Sequence, residues 1–280
     1  MAKDTGTKIL KKLSVMEKEE GKLPLLLKFF RDILRIQDAV AKKIGRPRIN
    51  LTADTVRDRI EQKIPILSFD DLDIDLRLFQ DTFTRVTDTF MKYLDFFGDI
   101  PERLRKPEAA RLFNKKVIRA WFNGVALPLA ISTNSNDAVI RAIIQSAFKP
   151  VLTVYAEELI EYVEQEKWRQ KYCPVCGGIP DMAFLETERG ARYLLCSRCD
   201  SEWLYQRLQC PYCGTQDTDS LSFFTDEKGL YQLNVCDKCR RYLKTIDMRK
   251  ANNDVLMPLE RLLTTEIDRQ AREEGYILMA

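Results

Sequence analysis

The chain has 280 residues, 45% of them hydrophobic and 31% charged, which supplies a packed core and excludes global disorder. Its formal net charge is only +3, so composition gives no sign of a nucleic-acid binder. It contains no histidine, which closes Ser-His-Asp and Cys-His catalysis, H-E-x-x-H zinc sites and every imidazole-ligated metal.

The N-terminus, MAKDTGTKILKKL, is charged almost from its start and lacks the apolar stretch and cleavage site of a secretory signal. Runs such as LPLLLKFF fall far below the roughly 18 apolar residues of a membrane span. The expectation is a cytoplasmic protein with reduced thiols and no membrane contact.

In chain order, Lys8 to Glu19 reads as a short amphipathic turn or two. Leu23 to Ile44 is a longer helix, with Leu26, Phe30, Ile33, Ile36, Val40 and Ile44 on one face and Gly45-Arg46-Pro47 to stop it. Lys42 to Arg48 holds a Gly-Arg-Pro core of the kind that reads DNA minor grooves, but its Gly-Pro punctuation marks a charged turn between helices. Thr52 to Lys63 predicts a helix with Thr52 as N-cap, ended by Ile64-Pro65. Asp75 to Phe97 predicts another, with Gly98 as C-cap, and Pro107 starts a helix through Trp121. Asn136 to Phe148, then Pro150 to Trp168, complete the set, and a final amphipathic helix runs from Pro258 to Arg272. The aromatic stripes read as bundle core rather than a cofactor box.

All eight cysteines lie between 173 and 239, in four CxxC pairs: Cys173/Cys176, Cys196/Cys199, Cys210/Cys213 and Cys236/Cys239. CPVCGGIPDMAFLETERGARYLLCSRC lies over CPYCGTQDTDSLSFFTDEKGLYQLNVCDKC as an internal duplication. Each copy reads knuckle, strand, turn, strand, knuckle. The strands are Met182–Thr187 and Ala191–Leu195 in the first copy, and Leu221–Thr225 and Leu230–Val235 in the second. A hairpin closes its two ends together, so four thiolates converge in each copy. Gly177 and Gly214, directly after the first pairs, supply a left-handed turn. Thiolates about 2.3 Å from a tetrahedral ion are what a zinc ribbon or rubredoxin site requires, and such a site supplies on the order of 10 kcal/mol of folding free energy.

Two rivals are weaker. Cys210-Pro-Tyr-Cys213 spells a dithiol redox motif, but a polar turn into a strand follows it instead of a helix. A disulfide framework does not suit the expected compartment. Residues 166–250 carry 14 Lys and Arg against 12 Asp and Glu, and two metallated tetrathiolates would bring the segment to about −2. No basic surplus is left for phosphates, so nucleic acid is not an expected partner. Trp203 and Tyr242, after the second knuckle of each copy, read as small-core residues, with a partner-facing anchor as the alternative.

The order CPVCG, hairpin, LLCSRCDSEW, QRLQCPYCG, hairpin, NVCDKCRRYLK resembles the FdhE family of formate dehydrogenase accessory proteins. LPLLLKFFRDILRIQDAVAKKI and MPLERLLTTEIDRQAREEGY are similar to that family's early helix and closing segment. The family commonly has a histidine before the second pair, where this chain has Leu195. The resemblance implies a cytoplasmic, non-enzymatic assembly factor that binds the catalytic subunit of formate dehydrogenase. It also implies rubredoxin-like modules, which makes iron an alternative to zinc as the bound ion.

The expected fold is multidomain α+β. An α-helical domain spans 1–168, four-cysteine modules span 169–204 and 205–250, and a helical tail spans 251–280. Two ions, Fe or Zn, would be held one by Cys173, Cys176, Cys196 and Cys199, the other by Cys210, Cys213, Cys236 and Cys239. Four knuckles combine in three ways, and the short Cys199–Cys210 interval also allows interleaving. The alternative functions are a zinc-ribbon nucleic-acid adaptor and a rubredoxin-like electron-transfer protein.

Overall fold

A computed structural model describes residues 5–97, 100–128, 131, 137–251 and 255–278. The chain divides into two compact units, Met1–Asn50 with Ser68–Tyr155 and Leu51–Leu67 with Ala156–Ala280.

The first unit is helical. It contains α1 (Thr5–Glu20), α2 (Leu25–Ile44), α4 (Leu76–Lys92), α5 (Leu94–Phe97), α6 (Lys115–Phe122) and most of α7 (Asp137–Leu159), while α3 (Ala53–Glu61) belongs to the second unit. α1 is a full helix, longer than its weak periodicity suggested. α2 stops where Gly45 turns left-handed and returns its N–H to Ala41 O. Asp75 caps α4, its carboxylate accepting from the N–H groups of Arg77 and Leu78, but the helix ends at Lys92 and breaks at Tyr93 before α5. Gly98 and Asn136 lie outside the described residues. The single helix expected from Pro107 to Trp121 is two pieces. Pro107–Leu112 is a 3-10 helix, and Asn114 caps a fresh start at α6 by accepting from Lys116 and Val117 N–H. Aromatic side chains fill the core, with Phe83 stacked on Phe113 at 3.9 Å between centroids and Phe148 edge-on to Phe79 and Trp121.

The break expected before Pro150 does not occur, and α7 runs straight through it. Proline has no N–H for the carbonyl four residues back, which is that of Ser146. The buried Gln37 side chain of α2 donates to Ser146 O at 2.9 Å and takes the missing place. The unbroken stretch Asp137–Tyr162 is long and apolar enough to cross a bilayer by length and composition. Ile140, Ile143, Ile144, Phe148 and Leu152 are completely buried, which is the pattern of a core helix.

The second unit is built on one six-stranded sheet. Its strands are β1 (Pro180–Leu185), β2 (Arg192–Cys196), β3 (Glu202–Tyr205), β4 (Leu221–Thr225), β5 (Tyr231–Cys236) and β6 (Arg241–Asp247), in the order β3-β2-β1-β6-β5-β4. Each copy of the duplication is an antiparallel three-stranded meander, one strand more than the hairpin read from sequence. The extra strands, β3 and β6, follow the second knuckles. The first strand of copy one pairs in parallel with the last strand of copy two, joining Met182–Leu185 to Lys244–Asp247. Trp203 and Tyr242 lie on these extra strands and are buried, so neither is an exposed anchor. Leu195 packs among Met182, Ile246 and Met257. The closing helix is split at Thr264 into α9 (Met257–Leu263) and α10 (Thr265–Glu273), the Thr264 hydroxyl bonding back to Glu260 O. The remaining short helix is α8 (Gln165–Trp168).

The Gln37–Pro150 pairing predicts a measurable coupling. Replacing Gln37 with Leu strands the Ser146 carbonyl and should cost about 1–3 kcal/mol in urea unfolding. In a Pro150→Ala background the helix supplies its own N–H, and the same replacement should cost much less. Equal costs in the two backgrounds would refute the substitution of one donor for the other.

Candidate metal centres

The eight thiols gather into two groups, Cys173, Cys176, Cys196 and Cys199, and Cys210, Cys213, Cys236 and Cys239. The grouping is sequential, one cage per copy, and Cys199 and Cys210 stand in different cages. Within the first, Sγ atoms approach to 3.4 Å (Cys176–Cys199), 3.5 Å (Cys176–Cys196) and 3.6 Å (Cys173–Cys199). Within the second, Cys210–Cys239 and Cys213–Cys236 are each 3.7 Å apart. A tetrahedral ion with sulfurs about 2.3 Å away would space them about 3.8 Å apart. A disulfide needs about 2.05 Å, and all eight thiols are free. The donor set and spacing fit one tetrahedral thiophilic ion per cage.

One backbone device repeats at every knuckle. The residue after the second cysteine is left-handed each time, Gly177 (φ 69°), Asp200 (φ 60°), Gly214 (φ 80°) and Arg240 (φ 54°). In the first three knuckles this turn sends the N–H of that residue back to the carbonyl of the first cysteine. The first cysteine's own N–H bonds to the carbonyl five residues on, as in Cys173 to Gly178 and Cys210 to Thr215. Both sulfurs are thereby aimed at one point. Two of the four positions are glycine; Asp200 and Arg240 occupy a conformation that costs a side-chain-bearing residue roughly 1–2 kcal/mol. Each is held by outside contacts.

Asp200 is held by Arg261 of α9. The Arg261 guanidinium lies 2.9 Å from Asp181 and 2.5 Å from Asp200, and donates to Cys196 O at 2.7 Å. Burial alone would lower the Arg261 pKa, but the two carboxylates hold it above its ordinary value. Arg240 donates to Asp237 and to Glu274 O, stacks over Tyr276 at 4.0 Å, and its own carbonyl accepts from Ile277 N–H. A further strap holds the first knuckle, where the Ile66 and Leu67 N–H groups donate to Pro174 O and Val175 O, both at 2.8 Å. The sequence marked Ile64-Pro65 only as a helix stop.

The cages differ in access. All four cysteines of the first are buried, whereas Cys213 is exposed and Cys239 partly so in the second. Burial pushes the Cys173, Cys236 and Cys239 thiols up. At Cys213 burial also pushes upward, but the Thr215 N–H and neighbouring thiols bring it below its ordinary value. A set of buried thiols that resists ionisation becomes a stable tetrathiolate only around a cation.

Comparison with known proteins agrees with this geometry. A model of the FdhE central domain matches residues 172–207, which contain the whole first cage. An FdhE homologue from Aquifex aeolicus is 27% identical over 279 residues, covering 96% of this chain and 91% of the relative. The chain is similar to FdhE proteins over nearly its whole length. FdhE of Escherichia coli O127:H6 is 33% identical over 120 residues, 41% of this chain and 37% of that protein. The crystal structure of FdhE from Pseudomonas aeruginosa shares the fold, with a TM-score of 0.64 at 19% identity over 99% of this chain and 94% of that one.

Two predictions concern these cages. A Cβ added at Gly178 would lie 2.8 Å from Cys196 Sγ and 3.1 Å from Arg198 Cδ. Gly178→Ala should therefore loosen the first cage and spare the second, seen as one ion per chain lost more readily to a chelator. Loss of both ions alike would contradict that local clash. In the unaltered protein, a colorimetric chelator should remove the two ions in two phases, with Cys213 alkylated first by a thiol reagent. A single phase would show that burial does not separate the cages.

Proposed function

We propose that the chain is a cytoplasmic, non-catalytic accessory protein that binds the catalytic subunit of formate dehydrogenase during its maturation. Its cages each hold one iron or zinc ion and fix the sheet that presents the docking surface. The observation that supports this most is the closure of the sites. Each cage offers four sulfurs to its ion, which leaves no open ligand position of the kind a hydrolytic metal keeps for water. Closed tetrathiolate chemistry is structural or one-electron. The similarity to FdhE proteins supports directing the structural reading to formate dehydrogenase.

The exposed side of the second cage favours one further reading, electron transfer through a bound iron. Elemental analysis with visible absorption on anaerobically prepared protein separates the two. Colourless zinc protein supports a docking scaffold, and coloured protein with a reversible one-electron couple supports redox participation.

The accessory role itself predicts that the formate dehydrogenase catalytic subunit co-purifies with this chain, and that deleting the chain lowers formate dehydrogenase activity. Full activity in its absence would overturn the proposal.

A further inference from the structure

The second half of the sheet has two unlike faces. Residues opposite one another in register share a face, so Leu221, Cys236 and Arg241 form one row and Phe223, Asn234 and Leu243 the next. Leu233, Val235 and Tyr242 point the other way and are covered by Ala271 and Ile267 of α10. The first face is walled by Arg192 and the loop from Arg207 to Tyr212 instead of by a helix, which leaves a groove beside the second cage.

The groove is lined by three arginines, Arg192, Arg207 and Arg241, and by no carboxylate. Arg192 is buried. Among the described residues its side chain donates only to the carbonyls of Gln206 and Gln209, lies over the Tyr205 ring at 5.3 Å, and keeps a buried Nε with no hydrogen-bond partner. Burial pushes its pKa down to about 10. The contrast with Arg261 is direct, since that buried guanidinium has two aspartates. Arg241 lies 5.8 Å from the Tyr212 ring, and neither it nor Arg207 forms an ion pair among the described residues. The rim is apolar, with Leu208 67% and Phe223 61% exposed.

A buried guanidinium with no carboxylate in contact is costly, and a carboxylate is the group that relieves it. The second cage, at about −2 when metallated, disfavours a densely charged ligand such as a run of phosphates and leaves room for a single carboxylate beside an apolar side chain. We propose that this groove captures an acidic peptide segment, seating a carboxylate among Arg192, Arg207 and Arg241 and an adjacent apolar side chain on Leu208 and Phe223. The inference rests on the accessory reading only in assigning that segment to the client protein.

The test uses the full, metal-loaded chain and a fluorescein-labelled decapeptide with one aspartate beside a leucine in an otherwise neutral, polar sequence, followed by anisotropy. The acidic peptide should bind, and its asparagine-for-aspartate twin should bind roughly tenfold more weakly or worse. Arg207→Gln, on the exposed loop, and Phe223→Ser should each weaken binding with ion content unchanged. Absence of binding, equal binding of the twin, or no effect of Arg207→Gln would overturn the proposal. So would a decamer of oligo(dT) that binds as tightly as the acidic peptide, which would make the groove a nucleic-acid site. Co-purification of formate dehydrogenase is a separate readout. Its loss with peptide binding intact removes the accessory reading and leaves the groove standing.

Discussion

Sulfur crowding is the constraint on which the second unit depends. Four thiols in each copy are brought within van der Waals distance of one another at 3.4–3.7 Å, most of them out of water. Without a central cation, such a cluster loses hydration and gains little in return. With one, it becomes a cross-link between the two ends of a hairpin. The left-handed residue after each knuckle, the Ile66–Leu67 strap and the Arg261 clamp all serve the same end, because each fixes backbone that carries a sulfur.

The duplication has produced two cages of one design in unequal surroundings. Parallel pairing of β1 with β6 merges two meanders into a single sheet and leaves β3 and β4 as its edges. Gln165 covers the β3 edge through Leu204 N–H, and Gln170 O accepts from Trp203 Nε1. β4 has no such cover among the described residues and is exposed along most of its length. The first cage is accordingly enclosed and the second is open at Cys213.

Much of this was legible in the sequence, and what was not has identifiable causes. The CxxC spacing and the repeated order of knuckle and strand pointed to four-cysteine cages, with sequential grouping expected from hairpin closure and interleaving left open until the structure grouped the thiols. Helices with clear caps, at Thr52 and Asp75, were read to within two residues at their starts. The strands β3 and β6 were missed because EWLY and RYLKTID are short or carry charge, although each pairs with the strand just before it. Pro150 looked like a helix break because the donor that replaces its N–H sits on Gln37, more than one hundred residues away. Two of the four left-handed knuckle residues were visible as glycines. Asp200 and Arg240 were not, because tertiary contacts and not intrinsic preference hold them there.

The most direct test is removal of the ions. Reduced, chelator-treated protein should lose the slow amide exchange of β1, β2, β5 and β6, while α2, α4 and α7 of the helical unit keep theirs. A metal-free chain whose sheet amides remain as protected as before would contradict the claim that the cages hold this unit together.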